Sequence, residues 1–234
     1  MKEFLKITFQ RYFNKFYNRL NPVPNPGGGE FEIDNYLLSR FIVFELLPIV
    51  GFTPFPLNEL LLMTGTVCRL RPNILLEWGT HVGKSARIFS ETSNMFNLGI
   101  QIHSIDLPDH IAHVEHPGNQ RGKYVKTKYN VHLYQGDGLE KAHEIISSLG
   151  LNQNILFFLD GDHSFDSVFS ELTTIMTKYP NANILVHDTF FQSDSSMYNI
   201  GPYKAIQSAL QVLPNSFHII SMNTGLPGMT LLFH

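Results

Sequence analysis

The chain has 234 residues, 43% of them apolar and 16% charged, which suits one well-packed globular domain with additional segments. A net charge of −3 offers no bulk attraction to nucleic acid, and a single cysteine, Cys68, excludes an internal disulfide and fits a reducing, cytoplasmic setting. Lys6, Arg11, Lys15 and Arg19 interrupt every apolar run near the start, so no secretion signal is expected, and the stretch 41–52, broken by Glu45 and Pro48, is too short to span a bilayer.

Residues 1–20 are expected to form a helix, because Phe4, Leu5, Phe9, Tyr12, Phe13, Phe16, Tyr17 and Leu20 recur at helical spacing. Its other face carries five Lys/Arg against one Glu, leaving 12 basic and 19 acidic residues, a balance of −7, to the rest of the chain. Such an arm packs on its own domain or on a sister subunit of a homo-oligomer, or makes peripheral contact with an anionic membrane. Asn21-Pro-Val-Pro-Asn-Pro-Gly-Gly-Gly29 then reads as a linker within 21–30.

An N-terminal helical cap follows over 31–56, with a helix at 34–47 and a turn at Thr53-Pro-Phe-Pro56, and a further helix over 57–70 opens the main domain, 57–234. After Pro72 the pattern alternates. Strands are expected at 74–78, 101–105, 131–134, 155–159 and 184–187, with helices at 83–93, 138–149 and 165–178 between them. That alternation predicts an α/β fold with a doubly wound, mostly parallel sheet. The end differs, with a helix at 202–212, a strand at 217–222, a Gly225-Leu-Pro-Gly228 turn and a strand at 229–233.

The first strand runs into Glu77-Trp-Gly-Thr-His-Val-Gly-Lys-Ser85, an acid, a glycine turn and a helix start. A phosphate-binding P-loop would need glycine where Trp78 stands, and the dinucleotide fingerprint G-x-G-x-x-G fails as well, since three residues and no glycine separate Gly79 from Gly83. What remains is Glu-x-Gly-x-x-x-Gly-x-Ser. It resembles motif I of class I S-adenosylmethionine-dependent methyltransferases, in the metal-dependent branch of macrolide-sugar O-methyltransferases and cephalosporin hydroxylases. The resemblance covers about 57–234, and the closing hairpin resembles that family's Rossmann-like sheet, whose last strand inserts antiparallel.

The resemblance implies roles for the strand ends. Glu77, Gly79, Thr80, Gly83 and Ser85 would hold the methionine part of the cofactor, Asp106 the ribose hydroxyls, and Gly136, Asp137 and Gly138 the adenine. An acid at the ribose position needs an ionised carboxylate with no cation beside it. In Asp160-Gly-Asp-His163 the family pattern gives a metal-ligating Asp160 and a base, His163, and Asp188 with His187 would complete the metal site. The chemistry has a reason: a hydroxyl is a poor nucleophile while protonated, so a hard divalent ion, Mg²⁺ by its oxygen ligands, lowers its pKa and a histidine takes the proton.

The expected activity is therefore metal-assisted methyl transfer from S-adenosylmethionine to a hydroxyl of a small polar molecule, a sugar or glycosylated natural product. Two alternatives stay open: a nucleotide hydrolase using Gly83-Lys84-Ser85 with Asp160, and a non-catalytic cofactor-fold protein docked through its arm. Arg121, Lys123, Lys126 and Lys128, in the long segment after strand two, suggest a substrate-facing lid. His110, His113 and His116 recur every three residues there, but Pro108 and Pro117 bracket them and no carboxylate completes a site.

Overall fold

The computed structural model describes residues 35–111, 116–128, 130–150, 153–213 and 217–234, so the basic arm, the linker and the start of the cap lie outside the described residues. Two compact units divide at Gly51/Phe52. The described part of the first is helical: α1 (Asn35–Phe41), a π-helical stretch Ile42–Leu46, then α2 (Leu47–Val50). The helix runs three residues beyond the expected end. Pro48 falls in the first turn of α2, where a missing backbone N–H costs least.

The second unit begins with α3 (Leu57–Leu70), whose buried face includes Leu60, Met63, Thr64 and Val67. Strands and helices then alternate: β1 (Ile74–Trp78), α4 (Lys84–Phe96), β2 (Gln101–Asp106), β3 (Val131–Gln135), α5 (Gly138–Leu149), β4 (Ile155–Leu159), α6 (Phe165–Lys178) and β5 (Asn183–His187). The chain closes with α7 (Gly201–Val212), β6 (His218–Ser221) and β7 (Met229–Phe233). Every residue of β1, β4, β5 and β7 is buried, as strands covered by helices on both faces require. The edges β3 and β6 mix exposed and half-buried positions instead.

The seven strands lie in the order β3-β2-β1-β4-β5-β7-β6, all parallel except β7, which inserts antiparallel between β5 and β6. The expected doubly wound sheet with an antiparallel last strand is thus present. Caps set the helix starts: the Asp137 side chain accepts from Glu140 N ahead of α5, and Ser164 Oγ from Ser167 N ahead of α6. One side of the core places Trp78 edge-on to Phe157 at 5.5 Å, and Phe89 meets Phe158 at 5.4 Å on the other. Cys68 is fully buried, and burial pushes its thiol up to about 12, which leaves it a packing residue. Among the described residues no helix is long and apolar enough to cross a membrane.

Sequence order reverses between β1 and β4, which are hydrogen-bonded neighbours from Ile74↔Ile155 to Trp78↔Leu159. In an open parallel sheet such a reversal leaves a crevice outside the strands' carboxyl ends. The loops after β1 and β4 meet there.

Candidate active site

The loop after β1 alternates handedness: Gly79, His81 and Gly83 all have positive φ, at 86°, 44° and 81°. Gly79 is required by contact as well as by φ. A Cβ there would sit 2.2 Å from the carbonyl oxygen of Asp160, so the two loops touch through bare backbone. Gly79 N donates to Ile105 O at 2.9 Å, Gly83 N to Thr80 O at 2.7 Å, and the Thr80 and Ser104 hydroxyls meet at 2.6 Å. The loop is thereby tied to β2 as well as to β4.

Glu77 is fully buried at the end of β1, and burial pushes its carboxyl up to about 8, against the hydrogen bond that Ser85 Oγ donates to Oε1. Its Oε2 is buried without a hydrogen-bond partner. An orphaned acceptor beside a glycine loop fits a ligand carrying a cationic or N–H group there. Lys84 points elsewhere: its Nζ donates to Thr53 O at 2.5 Å and lies over the Tyr124 ring. In a triphosphate site that lysine would face the loop.

Asp106 ends β2 as expected, and its carboxylate already accepts from His81 N (3.1 Å), Leu107 N (2.9 Å) and Arg121 Nε (3.0 Å). Arg121 is itself engaged by Asp109, Leu107 O and His116. The cation that a ribose-binding acid should lack is therefore present in this conformation. The segment that carries Arg121 is laced to the glycine loop, with Gly122 N donating to His81 O at 2.9 Å and Tyr124 N to Val82 O at 3.1 Å. Lys128 pairs with Glu91 at 2.5 Å. Two of the four cations expected to face a substrate are thus paired with the chain's own acids. The histidine row does not gather: His110 is exposed, His116 Nδ1 accepts from Gly118 N at 3.1 Å, and His113 lies outside the described residues.

At the position expected to face adenine, Asp137 caps α5, Gly136 has a φ of 145°, and a Cβ on Gly138 would meet the Trp78 indole at 2.1 Å. Only glycine lets α5 start so close to Trp78.

The ends of β4 and β5 bring the remaining expected residues together. His163 Nδ1 lies 2.9 Å from Asp188 Oδ2, and its Nε2, buried and without a hydrogen bond, stands at ion-pair distance, 3.4 Å, from Asp160 Oδ1. His187 Nδ1 meets Asp160 Oδ1 at 2.7 Å. One donor atom each of Asp160, His163 and His187 lies within 4.8 Å of the others, a spacing that a cation can bridge. Asp188 holds a left-handed φ of 56°, which turns its carboxylate back toward the crevice.

Burial pushes Asp160 up, yet the His187 and His163 imidazoles outweigh it and hold the carboxyl down at about 2. Burial likewise opposes charge on His163, but Asp160 and Asp188 raise it to about 10. The histidines and the carboxylates thus favour one another's charged forms.

Two residues here had no sequence signal. Glu59 of α3, fully buried, contacts His187 Nε2 at 3.0 Å and accepts from Gly228 N at 2.7 Å. The Tyr198 hydroxyl is 3.2 Å from Pro227 O and 3.4 Å from Asp188 Oδ1, and burial together with Asp188 pushes it up to about 12.

Residues 76–189 match the family model for a methyltransferase domain. That span runs from within β1 to just past β5 and contains the glycine loop and the acidic strand ends. No curated protein matches the chain in sequence. Among solved structures, the O-methyltransferase TomG from Streptomyces achromogenes, involved in tomaymycin synthesis and in complex with SAM, is 13% identical with a TM-score of 0.55, covering 95% of each chain. The O-methyltransferase from Bacillus cereus in complex with SAH is 11% identical with a TM-score of 0.55, over 95% of this chain and 97% of that one. A TDP-rhamnose 3'-O-methyltransferase of calicheamicin biosynthesis is 14% identical with a TM-score of 0.53, over 85% and 90%. At these identities the likeness is one of fold.

Proposed function

We propose that this chain, an S-adenosylmethionine-dependent methyltransferase of the class I fold, methylates a hydroxyl oxygen of a small polar molecule with the help of a divalent cation. The observation that carries this reading is the shared wall between the two halves of the site. The glycine loop that suits the methyl donor touches the backbone of Asp160, whose side chain belongs to the acid–histidine cluster. A donor on one side and an activated acceptor on the other therefore meet at the β1/β4 reversal.

The residues suit both a methyl donor and a divalent cation. The unpartnered Glu77 Oε2 suits the cationic amino-acid end of the donor, which would draw off the proton that burial favours on that acid. Asp106 suits the ribose diol once Arg121 has withdrawn. Asp160 and Asp188 supply hard oxygen ligands for Mg²⁺, whose contribution when bound is to stabilise negative charge on the acceptor oxygen. A cation held by Asp160 and Asp188 would offset the charge by which these carboxylates favour a proton on His163, and so would favour the neutral, basic imidazole. His163 Nε2, buried and without a hydrogen bond, would be the atom that receives the acceptor's hydroxyl proton. A sugar-like acceptor accords with the activity named for the TDP-rhamnose enzyme of similar fold.

The test is calorimetry with S-adenosylhomocysteine against ATP, followed by methyl transfer to a panel of hydroxyl acceptors with Mg²⁺ or with chelator. Binding of the homocysteine nucleoside together with chelator-sensitive transfer is the expected result. Binding of ATP alone would return the site to a nucleotide hydrolase.

A further inference from the structure

Glu59 sits outside the matched family span, on a helix that precedes the sheet, yet it reaches the centre of the site. It is a fully buried acid whose side chain contacts one basic group and one backbone amide. Oε1 accepts from Gly228 N at 2.7 Å, which fixes the carboxylate against the turn before β7, and Oε2 faces His187 Nε2 at 3.0 Å. On the far side of the ring, Nδ1 faces Asp160 Oδ1 at 2.7 Å. Phe55 packs edge-on to the same ring at 4.9 Å, Asp188 Oδ1 stands 3.9 Å from Nδ1, and the His163 ring centre is 6.2 Å away.

Each ring nitrogen of His187 thus lies within hydrogen-bond distance of a carboxylate oxygen, and a cation could reach either nitrogen only by displacing that contact. The ring occupies the position of a cation ligand but behaves as a strut between two acids. Histidine ring orientation is commonly fixed by a partner on the nitrogen away from the reactive centre, and here that partner is Glu59.

We propose that Glu59 is a positioning residue: it holds the His187 ring so that Nδ1 orients the Asp160 carboxylate, and His187 supports the cation site without ligating the cation. The inference rests on the function proposed above, but part of its test does not depend on that function. In the full-length protein, both ring N–H groups of His187 should give slowly exchanging, downfield NMR signals. Glu59→Gln keeps an acceptor for Gly228 and turns an amide N–H toward Nε2, so the Nε2–H signal should vanish while Nδ1–H remains. Titration with Mg²⁺ should leave the Nδ1–H signal of the wild-type protein in place.

Glu59→Ala frees the ring, and a loss of about 10–100-fold in Mn²⁺ affinity and in kcat is expected, with KM for the methyl donor unchanged. Glu59→Gln should recover most of that loss, a pattern that a purely structural role would not give. An Nε2–H signal that survives in Glu59→Gln, or an Nδ1–H signal that Mg²⁺ removes, overturns the inference, as does a folded Glu59→Ala with wild-type kcat and Mn²⁺ affinity. Failure of the wild-type protein to bind S-adenosylhomocysteine would instead overturn the proposed function, and the ring signals would still report on Glu59.

Discussion

Replacing Gly79 with alanine tests the contact on which the whole site turns. Two penalties apply. A left-handed φ of 86° costs an L-residue about 1–2 kcal/mol. The new Cβ would also stand 2.2 Å from Asp160 O and 3.0 Å from Asp160 C, and backbone on both sides must give way, which adds about 1–3 kcal/mol. Gly99 provides the control: its φ is 71°, but nothing lies within 4 Å of an added Cβ, so Gly99→Ala carries the first penalty alone. The difference between the variants isolates the clash, and for a chain of this size it should separate their melting temperatures by about 2–4 °C per kcal/mol. Because the displaced backbone belongs to Asp160, Gly79→Ala should also weaken both S-adenosylhomocysteine and Mg²⁺ binding by calorimetry, while Gly99→Ala leaves both as in the wild type. Equal melting temperatures with equal affinities would refute the contact between the two loops.

Three further outcomes follow from the geometry. On the proposed function the imidazole takes the acceptor's proton and does not touch the donor, so His163→Gln should lower kcat by about 10²–10⁴-fold with S-adenosylhomocysteine affinity preserved; an unchanged rate would remove it as the base. Arg121→Ala frees the Asp106 carboxylate, so calorimetry should find S-adenosylhomocysteine bound at least as tightly as by the wild type, and a loss of about tenfold or more, about 1.4 kcal/mol, would make Arg121 a cofactor contact instead. Glu77 binds its proton more tightly folded than unfolded, its pKa rising from 4.5 to about 8, so its contribution is fully present below about pH 4.5 and is lost as pH climbs through about 8. Urea titrations of the ligand-free protein should show that decline, and Glu77→Gln should flatten it; identical pH profiles for the two proteins would contradict the assignment.

Much of this architecture was legible because its signals are local. A buried parallel strand must read as an unbroken apolar run, so Ile74–Trp78, Ile155–Leu159 and Met229–Phe233 were placed within the residue. The acids and glycines that follow them are adjacent in sequence to the strands that position them. Glu59 was not legible, because Leu-Asn-Glu-Leu-Leu-Leu on an amphipathic helix gives a glutamate no mark of burial, and its partners stand 128 and 169 residues away. Tyr198 was missed for the same reason, since it approaches Asp188 through a loop with no periodicity of its own. The Arg121 contact with Asp106 also escaped notice: charge counts place four cations on one segment but do not tell which turns inward.

Those separations matter for how the site comes into being as the chain folds. The glycine loop closes over short stretches, from Glu77 to Ser85 across 8 residues and from Thr80 to Ser104 across 24. The Glu59 carboxylate waits for His187 and then for Gly228, the amide just ahead of the final strand. Long-range closures of that kind come late, because their entropy must be met before the contact returns anything. The glycine loop's bonds to Ser85 and Ser104 need no residue beyond β2, whereas the acid–histidine cluster has its last anchor only once Gly228 and β7 are in place.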